Sequence, residues 1–285
     1  MTKLAFMSDL HIDSNQFGAF EIETLIQTLQ DENIDHLHIA GDISNDFKNI
    51  SQPFINQLCH HFPVSYNLGN HDMLGMSEEE IRQREIQIQQ FGDRQLVSLS
   101  GWYDYSFVPE KSEEEHLKNK LLYWFDRRLE RTESDPTITN HILSQLESVL
   151  QQTTSPILLS LHFVPHDDFI LHHPYFERFN AFLGSRHFHT VFKKYPITDV
   201  IFGHTHHRFG SRMVEGIRYH ARPLGYVREW ELCKDFLKTF PSYRFKEDYH
   251  PYKRYRKIQH VPEFIEFKKK QLKKEFQDAL TILDL

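Results

Sequence analysis

Short apolar segments alternate with longer amphipathic ones along most of this chain. Five apolar segments have the length and composition of buried strands, and they cover residues 3–9, 35–42, 63–72, 156–163 and 199–206. Amphipathic helices are predicted over residues 20–33, 50–62 and 77–92, the last of which begins with a capping box formed by Ser77 and Glu80. Strands that alternate with helices predict βαβ units, and therefore an α/β protein with parallel strands.

The other segments predict a cap and an extension added to this sheet. They are a strand and turn over 95–107, a helical insertion over 112–153 divided at Pro136, a helix near 176–194, a hairpin over 212–225 that turns at Glu215–Gly216, and a helical segment over 231–285 that ends in an amphipathic helix over 264–283. We therefore predict one domain over residues 1–230 and a basic helical extension over 231–285. The insertion has two open interpretations, a specificity lid or a solvated helical hairpin.

The composition indicates a globular protein without a membrane segment. Hydrophobic residues make up 39% of the 285 residues and charged residues 26%. No apolar run reaches the roughly 18 residues that a spanning helix needs, and the first strand begins without the pattern of a signal peptide. The two cysteines, Cys59 and Cys233, provide no disulfide framework. These features predict a cytoplasmic protein, and none of them defines an oligomeric state.

Charge is distributed unevenly along the chain. Residues 231–285 contain thirteen Lys/Arg and nine Asp/Glu, an excess of +4, so the net charge of −7 leaves −11 on the first 230 residues. An acidic body argues against a large nucleic-acid interface, which needs clustered lysine and arginine, and it suits a site for divalent cations. Acidic residues interleave with the basic ones of the C-terminal helix, which favours a solvated helix face over a membrane or nucleic-acid contact.

Polar side chains lie where each of the five predicted strands ends. They are Asp9 and His11 at the end of the first, Asp42 at the end of the second, Asn70, His71 and Asp72 at the end of the third, His162 at the end of the fourth, and His204 and His206 at the end of the fifth. In open α/β sheets, ligands bind outside the carboxyl ends of the strands. We therefore expect these side chains to meet at one edge of the sheet.

Spacing and chemistry both point to metal binding by these residues. Asp9 and His11 are two positions apart, as are His204 and His206, so in an extended chain each pair faces one side and His207 faces the other. Carboxylates and imidazoles without thiolates suit Mn, Fe or Zn. Seven candidate ligands are too many for one ion, and with Asp42 bridging they divide into two sets of four.

The ordered motifs resemble those of the calcineurin-like metallophosphoesterase superfamily. They are Asp-Leu-His (9–11), Gly-Asp (41–42), Gly-Asn-His-Asp (69–72), His162 and Gly-His-Thr-His (203–206), and the resemblance covers about residues 1–230. Leu68 stands where the protein Ser/Thr phosphatases have arginine, which indicates the bacterial-type phosphoesterase branch. The resemblance implies a four-layer αββα sandwich of two mixed β-sheets flanked by helices.

The resemblance also implies a site and a reaction. One metal would be held by Asp9, His11, Asp42 and His206, and the second by Asp42, Asn70, His162 and His204, while His71 matches the catalytic histidine. The expected enzyme is a metal-dependent phosphoric ester hydrolase with two divalent ions, Mn, Fe or Zn. A hydroxide that bridges the metals would attack a small phosphomonoester or phosphodiester in line, with His71 as general acid. The alternatives are a nuclease of the same superfamily and a non-catalytic binding module.

Several positions around these motifs have open roles. Asn45 stands where the family often has the Asp that orients the catalytic histidine, and Asp46 follows one residue later. The histidine-rich segment 162–174 predicts a loop at the mouth of the site. His207 and Arg208 are candidates for its rim. Four aromatic residues are candidates for the core rather than for a substrate platform: Tyr66, Trp102, Tyr103 and Phe163.

Overall fold

Two mixed β-sheets form the centre of the protein, in a computed structural model that describes residues 2–285. The strands are β1 (Lys3–Met7), β2 (His36–Ala40), β3 (Val64–Asn67), β4 (Ile86–Phe91), β5 (Arg94–Leu99), β6 (Ile157–Leu161), β7 (Ile197–Phe202), β8 (Gly210–Val214), β9 (Ile217–Ala221) and β10 (Thr281–Asp284). The α-helices are α1 (Ala19–Asp31), α2 (Gln52–Leu58), α3 (Glu78–Arg82), α4 (Glu113–Tyr123), α5 (Asp135–Leu150), α6 (His187–Phe192), α7 (Glu231–Thr239), α8 (Pro251–Ile258) and α9 (Pro262–Asp278).

The strand order confirms the predicted α/β sandwich. One sheet has the order β10-β1-β2-β3 and the other β4-β5-β6-β7-β9-β8. The five strands predicted from apolar segments pair in parallel within these sheets, and the antiparallel strands β10, β4 and β8 lie at sheet edges. Apolar side chains from both sheets meet in one buried cluster, which contains Leu4, Phe6, Ala40, Leu96, Leu158 and Ile201. The sheets therefore pack face to face, with helices on their outer sides.

The predicted helix over 77–92 is wrong beyond its first turn. Ser77 caps α3 as expected, because its Oγ accepts the N–H of Glu80 and its own N–H donates to the Glu80 carboxylate. The chain then forms β4, which pairs antiparallel with β5. Ile86 and Ile88 alternate with glutamines here, and this period of two fits a strand rather than a helix.

The predicted helix over 264–283 is wrong at its end. Helix α9 stops at Asp278, and the last residues form β10, which pairs antiparallel with β1. A strand here covers an edge of β1 whose backbone groups need partners. The C-terminal segment thus contributes a strand to the first sheet, and the division of the chain at residue 230 stays a prediction.

The helix predicted near 176–194 is wrong as a single element. The chain forms a 3₁₀ helix at Glu177–Phe182 and then α6. Between them the backbone turns to pair with Val164, whose N–H donates to the Leu183 carbonyl at 2.8 Å and whose carbonyl accepts the Ser185 N–H at 3.1 Å. A Cβ at Gly184 would lie 2.0 Å from the Val164 oxygen, so this close approach requires glycine.

Two other predictions are confirmed. The insertion contains α4 and α5, and Pro136 lies in the first turn of α5, where a missing N–H is tolerated. The hairpin of β8 and β9 turns at Glu215 and Gly216, which both have positive φ angles of 45° and 88°. No helix within residues 2–285 is long and apolar enough to cross a membrane.

A buried polar network lies between the sheets beside their apolar contact. His38 donates from Nε2 to the Asn67 Oδ1 at 3.0 Å and accepts at Nδ1 from the Ser65 hydroxyl at 2.8 Å. Ser160 of the second sheet donates to the same Asn67 oxygen at 3.0 Å. Burial lowers the pKa of His38 to about 4, although the hydrogen bond to Asn67 opposes this change. The ring is therefore neutral in the folded protein.

Replacing His38 by glutamine is expected to reduce the loss of stability in acid. The unfolded chain takes up this proton near pH 6.5, whereas the folded chain does so only near pH 4. Above pH 6.5 the ring is neutral in both states, so the titration of His38 does not change the free energy of unfolding. As the pH drops from 6.5 towards 4, only the unfolded chain takes up the proton, and the free energy of unfolding falls by about 2–3 kcal/mol. Urea unfolding at pH 7.5 and pH 4.5 measures this difference. The exposed His61→Gln variant should behave as wild type, and an undiminished acid loss in His38→Gln would contradict the prediction.

Candidate metal centre

The loops that follow five strands bring the predicted site residues to one edge of the molecule. Single ligand atoms from each of Asp9, His11, Asp42 and His206 lie within 4.8 Å of one another, and the same holds for Asp42, His162 and His204. Asp42 belongs to both clusters. Its Oδ2 lies 3.6 Å from the His11 Nε2 and 3.3 Å from the His162 Nε2. The expected convergence of these side chains is therefore present in the fold.

The backbone at these residues is not extended, as we had expected, but turns sharply after each strand. Strand β1 ends at Met7 and β7 at Phe202, so the paired residues lie beyond the strands. Left-handed φ angles occur at Asp9 (57°), His11 (42°), Asp42 (57°), His204 (70°) and His206 (52°). Non-glycine residues adopt this conformation at a cost, and it is concentrated at functional sites. The prediction that an extended backbone brings each pair to one side is therefore wrong, although the residues of each pair do meet.

Three glycines in the motifs leave room for the site's carboxylates and imidazoles. A Cβ at Gly69 would lie 2.2 Å from the Asp42 Oδ1, and one at Gly203 would lie 2.2 Å from the Asp9 Oδ2. At Gly41, which has a φ of +82°, a Cβ would lie 2.6 Å from a nitrogen of His162. Any side chain at these positions would displace a group of the clusters. The motif glycines are therefore needed for the shape of the site.

Asp72 supports the site without facing the clusters. Its carboxylate accepts backbone N–H groups from Asp42 at 2.7 Å, Ile43 at 2.9 Å and Gly69 at 2.9 Å. Burial and the neighbouring Asp42 raise the pKa of Asp72 to about 7. These bonds join the loop after β2 to the loop after β3, so Asp72 fixes the relative position of the two motifs.

Asn70 is held with its oxygen towards the second cluster. Its Oδ1 lies 3.2 Å from the His162 Nε2, while its Nδ2 donates to the Asp126 Oδ1 at 2.7 Å. Asp126 also accepts the indole N–H of Trp124 at 3.0 Å. Burial raises the pKa of the Asp126 carboxyl to about 6. The sequence analysis missed Asp126, because it lies in the insertion and no motif spacing connects it with Asn70.

His71 is oriented by Asn45, which answers the question that the sequence left open. The His71 Nδ1–H donates to the Asn45 Oδ1 at 2.9 Å. The amide group of Asn45 donates in turn to the Asp13 Oδ2 at 2.8 Å, so its oxygen must face the histidine. Asp46 instead accepts the backbone N–H of Asn49 at 3.0 Å. The carboxylate of Asp13 therefore acts on His71 through Asn45, whereas the family often has an Asp directly beside the histidine.

The other nitrogen of His71 faces the open side of the site. Its Nε2 lies 4.0 Å from the Asp42 Oδ2 and 3.5 Å from the Tyr226 hydroxyl. Phe125 of the insertion stacks on the imidazole at 3.7 Å between ring centroids. Burial lowers the pKa of His71, whereas the charge of Asp42 acts to raise it. Phe125 and Tyr226 were not predicted from the sequence, since only tertiary packing places them here.

Hydrogen bonds select the ring nitrogen that each histidine presents to the clusters. Three rings donate away from them: His162 from Nδ1 to the Ala40 carbonyl at 3.0 Å, His206 from Nδ1 to the Glu229 carboxylate at 2.9 Å, and His204 from Nε2 to the Phe182 carbonyl at 3.1 Å. The remaining nitrogen of each ring is then the one that can offer a lone pair to a metal ion in the cluster. Such outward bonds are typical of metal-ligating histidines. Glu229 is a further residue that the sequence analysis missed.

The charges and unpaired atoms of the site fit a pair of cations. The Asp9 Oδ2 and the Asp42 Oδ2 are buried without a hydrogen-bond partner, and no lysine or arginine of residues 2–285 pairs with either carboxylate. The Nε2 atoms of His11 and His206 face each other at 2.9 Å, and so close an approach of two ring nitrogens requires a proton or a cation between them. Carboxylate, imidazole and amide donors are those that Mn, Fe and Zn accept.

The raised pKa values of two histidines also show that the site favours positive charge. Burial opposes protonation of both rings. Even so, Glu229 and Asp9 raise the pKa of His206 to about 10. Asp42 and Asp9 likewise raise the pKa of His162 to about 9. The buried carboxylates therefore draw positive charge to the places where metal ions would supply it.

A cavity of about 850 Å³ opens over both clusters. Tyr123, Trp124 and Phe125 of the insertion form one of its walls, so the insertion borders the site. From the histidine-rich loop, His172 and His173 line the cavity. His166 and Asp167 do not; they contact Asp168 and Arg186 respectively.

The remaining candidates divide between the cavity and the core. His207 is exposed and lines the cavity, whereas Arg208 turns away and pairs with Glu275 at 2.8 Å. Trp102, Tyr103 and Phe163 are fully buried, as expected for core residues. Tyr66 is partly buried and packs on Phe47.

The two-sheet sandwich and a potential dimetal site at its strand ends are features of the metallophosphoesterase class. A sequence model described as calcineurin-like phosphoesterase matches residues 2–208, and the chain belongs to this family. Membership implies a hydrolase. Among curated proteins, none matches the sequence.

Several solved structures are similar to this protein. Phosphopantetheinyl Hydrolase (PptH) from Mycobacterium tuberculosis is 17% identical over 81% of this chain and 92% of its own, with a TM-score of 0.61. A dimetal phosphatase from Danio rerio is 15% identical over 78% and 87% of the two chains (TM-score 0.48), and YfcE, a phosphoesterase from E. coli, is 13% identical over 79% and 80% (TM-score 0.31). At these identities the first of them supports a shared fold, and no shared substrate.

Proposed function

We propose that this protein is a dinuclear metal-dependent phosphoesterase that hydrolyses small phosphomonoesters or phosphodiesters. One observation carries the proposal: Asp42 is shared by two clusters of metal-ligating atoms at the floor of a substrate-sized cavity. A shared carboxylate is the arrangement that holds two cations close enough to act on one phosphoryl group. Family membership supports the same reaction class.

The proposed ligands follow from the two clusters. Asp9, His11, Asp42 and His206 would hold one ion, and Asp42, Asn70, His162 and His204 the other. Asn70 joins the second set because its Oδ1 lies beside the His162 Nε2 at 3.2 Å. Mn, Fe and Zn all suit this donor set.

The residues around the proposed metals have distinct tasks. When bound, two divalent cations would neutralise phosphate charge and supply a water of lowered pKa as nucleophile. His71 would serve as general acid, because its Nε2 faces the cavity and its Nδ1–H is held by Asn45. Glu229 fixes the ring of His206, and Asp126 fixes the amide of Asn70.

The two alternatives have less support. A nucleic-acid strand needs several cations along its path, and Arg228 is the single lysine or arginine among the described residues that line the cavity. A binding module without activity would not need a complete set of ligands, yet the seven ligand positions and the position of the catalytic histidine all carry suitable residue types.

Metal removal tests the proposal directly. Protein stripped with EDTA and reloaded with Mn²⁺, Fe²⁺ or Zn²⁺ is expected to bind two ions per chain, and only the reloaded protein should hydrolyse bis-p-nitrophenyl or p-nitrophenyl phosphate. Elemental analysis and isothermal titration calorimetry measure the stoichiometry, and release of p-nitrophenolate measures turnover. If the protein binds one ion or none with each of the three metals, the dinuclear site is refuted. If it binds two ions but hydrolyses no phosphoester, the proposed enzymatic activity is refuted.

A further inference from the structure

The cavity over the metal centre has aromatic walls that the proposed phosphate chemistry does not use. Trp124 lies edge-on to His204 at 6.0 Å and stacks on Phe179 at 5.7 Å, so an indole lies directly beside the second cluster. Tyr226 also lines the cavity and stacks on His11 at 4.4 Å, beside the first cluster. Phosphate needs charge and hydrogen bonds, whereas these side chains offer mainly apolar, aromatic area.

Part of the rim of the cavity is apolar as well. The side chains of Tyr123 and Phe176 line the cavity, yet 54% and 52% of their surface is exposed to solvent. Exposed aromatic residues that are grouped around a cavity mark a ligand-binding surface. Tyr123 and Phe176 come from the insertion and from the loop after β6, so two separate segments contribute to the same apolar rim.

The charge of the cavity limits the substrates that it can hold. Arg228 lies 3.9 Å over the ring of Tyr226 and 3.6 Å from the Glu229 carboxylate, so its charge is already partly matched. It is the one fixed cation among the described lining residues. A ligand with several phosphates would find no second cation away from the metal centre. The walls therefore suit a neutral group attached to a single phosphoryl group.

We propose that the aromatic walls form a subsite for a planar, predominantly apolar aryl or heteroaryl group on the substrate. This inference rests on the proposed function, since it places the phosphoryl group of the same molecule at the metal centre. The partly exposed rings of Tyr123 and Phe176 favour a planar group over a flexible alkyl chain, because stacking adds to the effect of area burial. The cavity volume of about 850 Å³ accommodates such a group together with the phosphate.

Non-hydrolysable phosphonates test the subsite without the influence of a leaving group. Calorimetric titration of the Mn²⁺-loaded protein compares methylphosphonate, hexylphosphonate and 2-naphthylmethylphosphonate, which share one metal-binding group. The naphthyl compound is expected to bind at least about tenfold more tightly than the methyl compound, and more tightly than the hexyl compound. The phosphonate analogue of AMP in which a methylene group replaces the 5′ oxygen then distinguishes a nucleobase from a simple aryl group.

Variants locate the preference in the cavity walls. Phe176→Ala and the double variant Phe176→Ala/Phe179→Ala should lose most of the preference for the naphthyl compound while methylphosphonate binds as before. Tyr175→Ala is the matched control, because Tyr175 is 80% exposed beside Phe176 and does not line the cavity. Equal affinities for the three phosphonates, or a full preference in the double variant, would overturn the subsite. No metal-dependent binding of any phosphonate would instead overturn the proposed function.

Discussion

Asp42→Asn is expected to reduce the bound metal from two ions per chain to fewer than one and to lower phosphoesterase turnover by at least about 10³-fold. The Asp42 Oδ2 lies between the clusters, 3.3 Å from the His162 Nε2 and 3.6 Å from the His11 Nε2. A neutral amide keeps the size of the side chain but removes the charge that both ions would share. Calorimetric Mn²⁺ titration, elemental analysis and hydrolysis of bis-p-nitrophenyl phosphate measure the change.

Asp46→Asn is the matched control for this substitution. Asp46 lies four residues further along the chain and caps a helical turn through the backbone N–H of Asn49. Asparagine caps helices about as well as aspartate, so this variant should retain two ions and full turnover. If Asp42→Asn also binds two ions with wild-type affinity, Asp42 is not the shared ligand and the proposed centre is wrong.

His71→Gln is expected to lower turnover by about 10²–10⁴-fold while both metals stay bound. Glutamine has no group that can release a proton at neutral pH, and His71 lies outside both ligand clusters. The effect should depend on the leaving group. A p-nitrophenolate is stable as an anion and needs little protonation, whereas phenolate needs more. The loss should therefore be larger with phenyl phosphate than with p-nitrophenyl phosphate.

This dependence separates a proton donor from a structural residue. A merely structural loss would reduce the turnover of both esters by the same factor. The exposed His60→Gln variant controls for the substitution itself and should match wild type with both substrates. Equal losses in His71→Gln, or the loss of bound metal, would contradict the role of general acid.

Sequence patterns predicted the donors of the site because their positions follow from strand order. Asp9, Asp42 and Asn70 each come shortly after an apolar strand, and the strands β1, β2 and β3 pair in parallel. Parallel neighbours end at one edge of a sheet, so residues that are distant in the chain must meet there. This argument needs only the apolar pattern and the polar residues that follow it.

Local geometry was less predictable from the same pattern. The alternation of side chains assumed an extended backbone after the strand, whereas Asp9, His11, His204 and His206 have left-handed φ angles. Surrounding hydrogen bonds hold this conformation; the Asp9 carboxylate, for instance, accepts the His204 N–H at 2.9 Å. Such a bond joins residues 195 positions apart, and no window of sequence contains both partners.

The sequence by itself determined the apolar strands, the order of the donors and the glycines without which the carboxylates would not fit. Only the tertiary structure decided that Asp126 holds the amide of Asn70, that Asn45 rather than Asp46 orients His71, and that the insertion supplies an aromatic wall. It also decided that the chain ends in a strand beside β1. The reason is physical: strand patterns and motifs are local, whereas these contacts form only when distant segments are buried against each other.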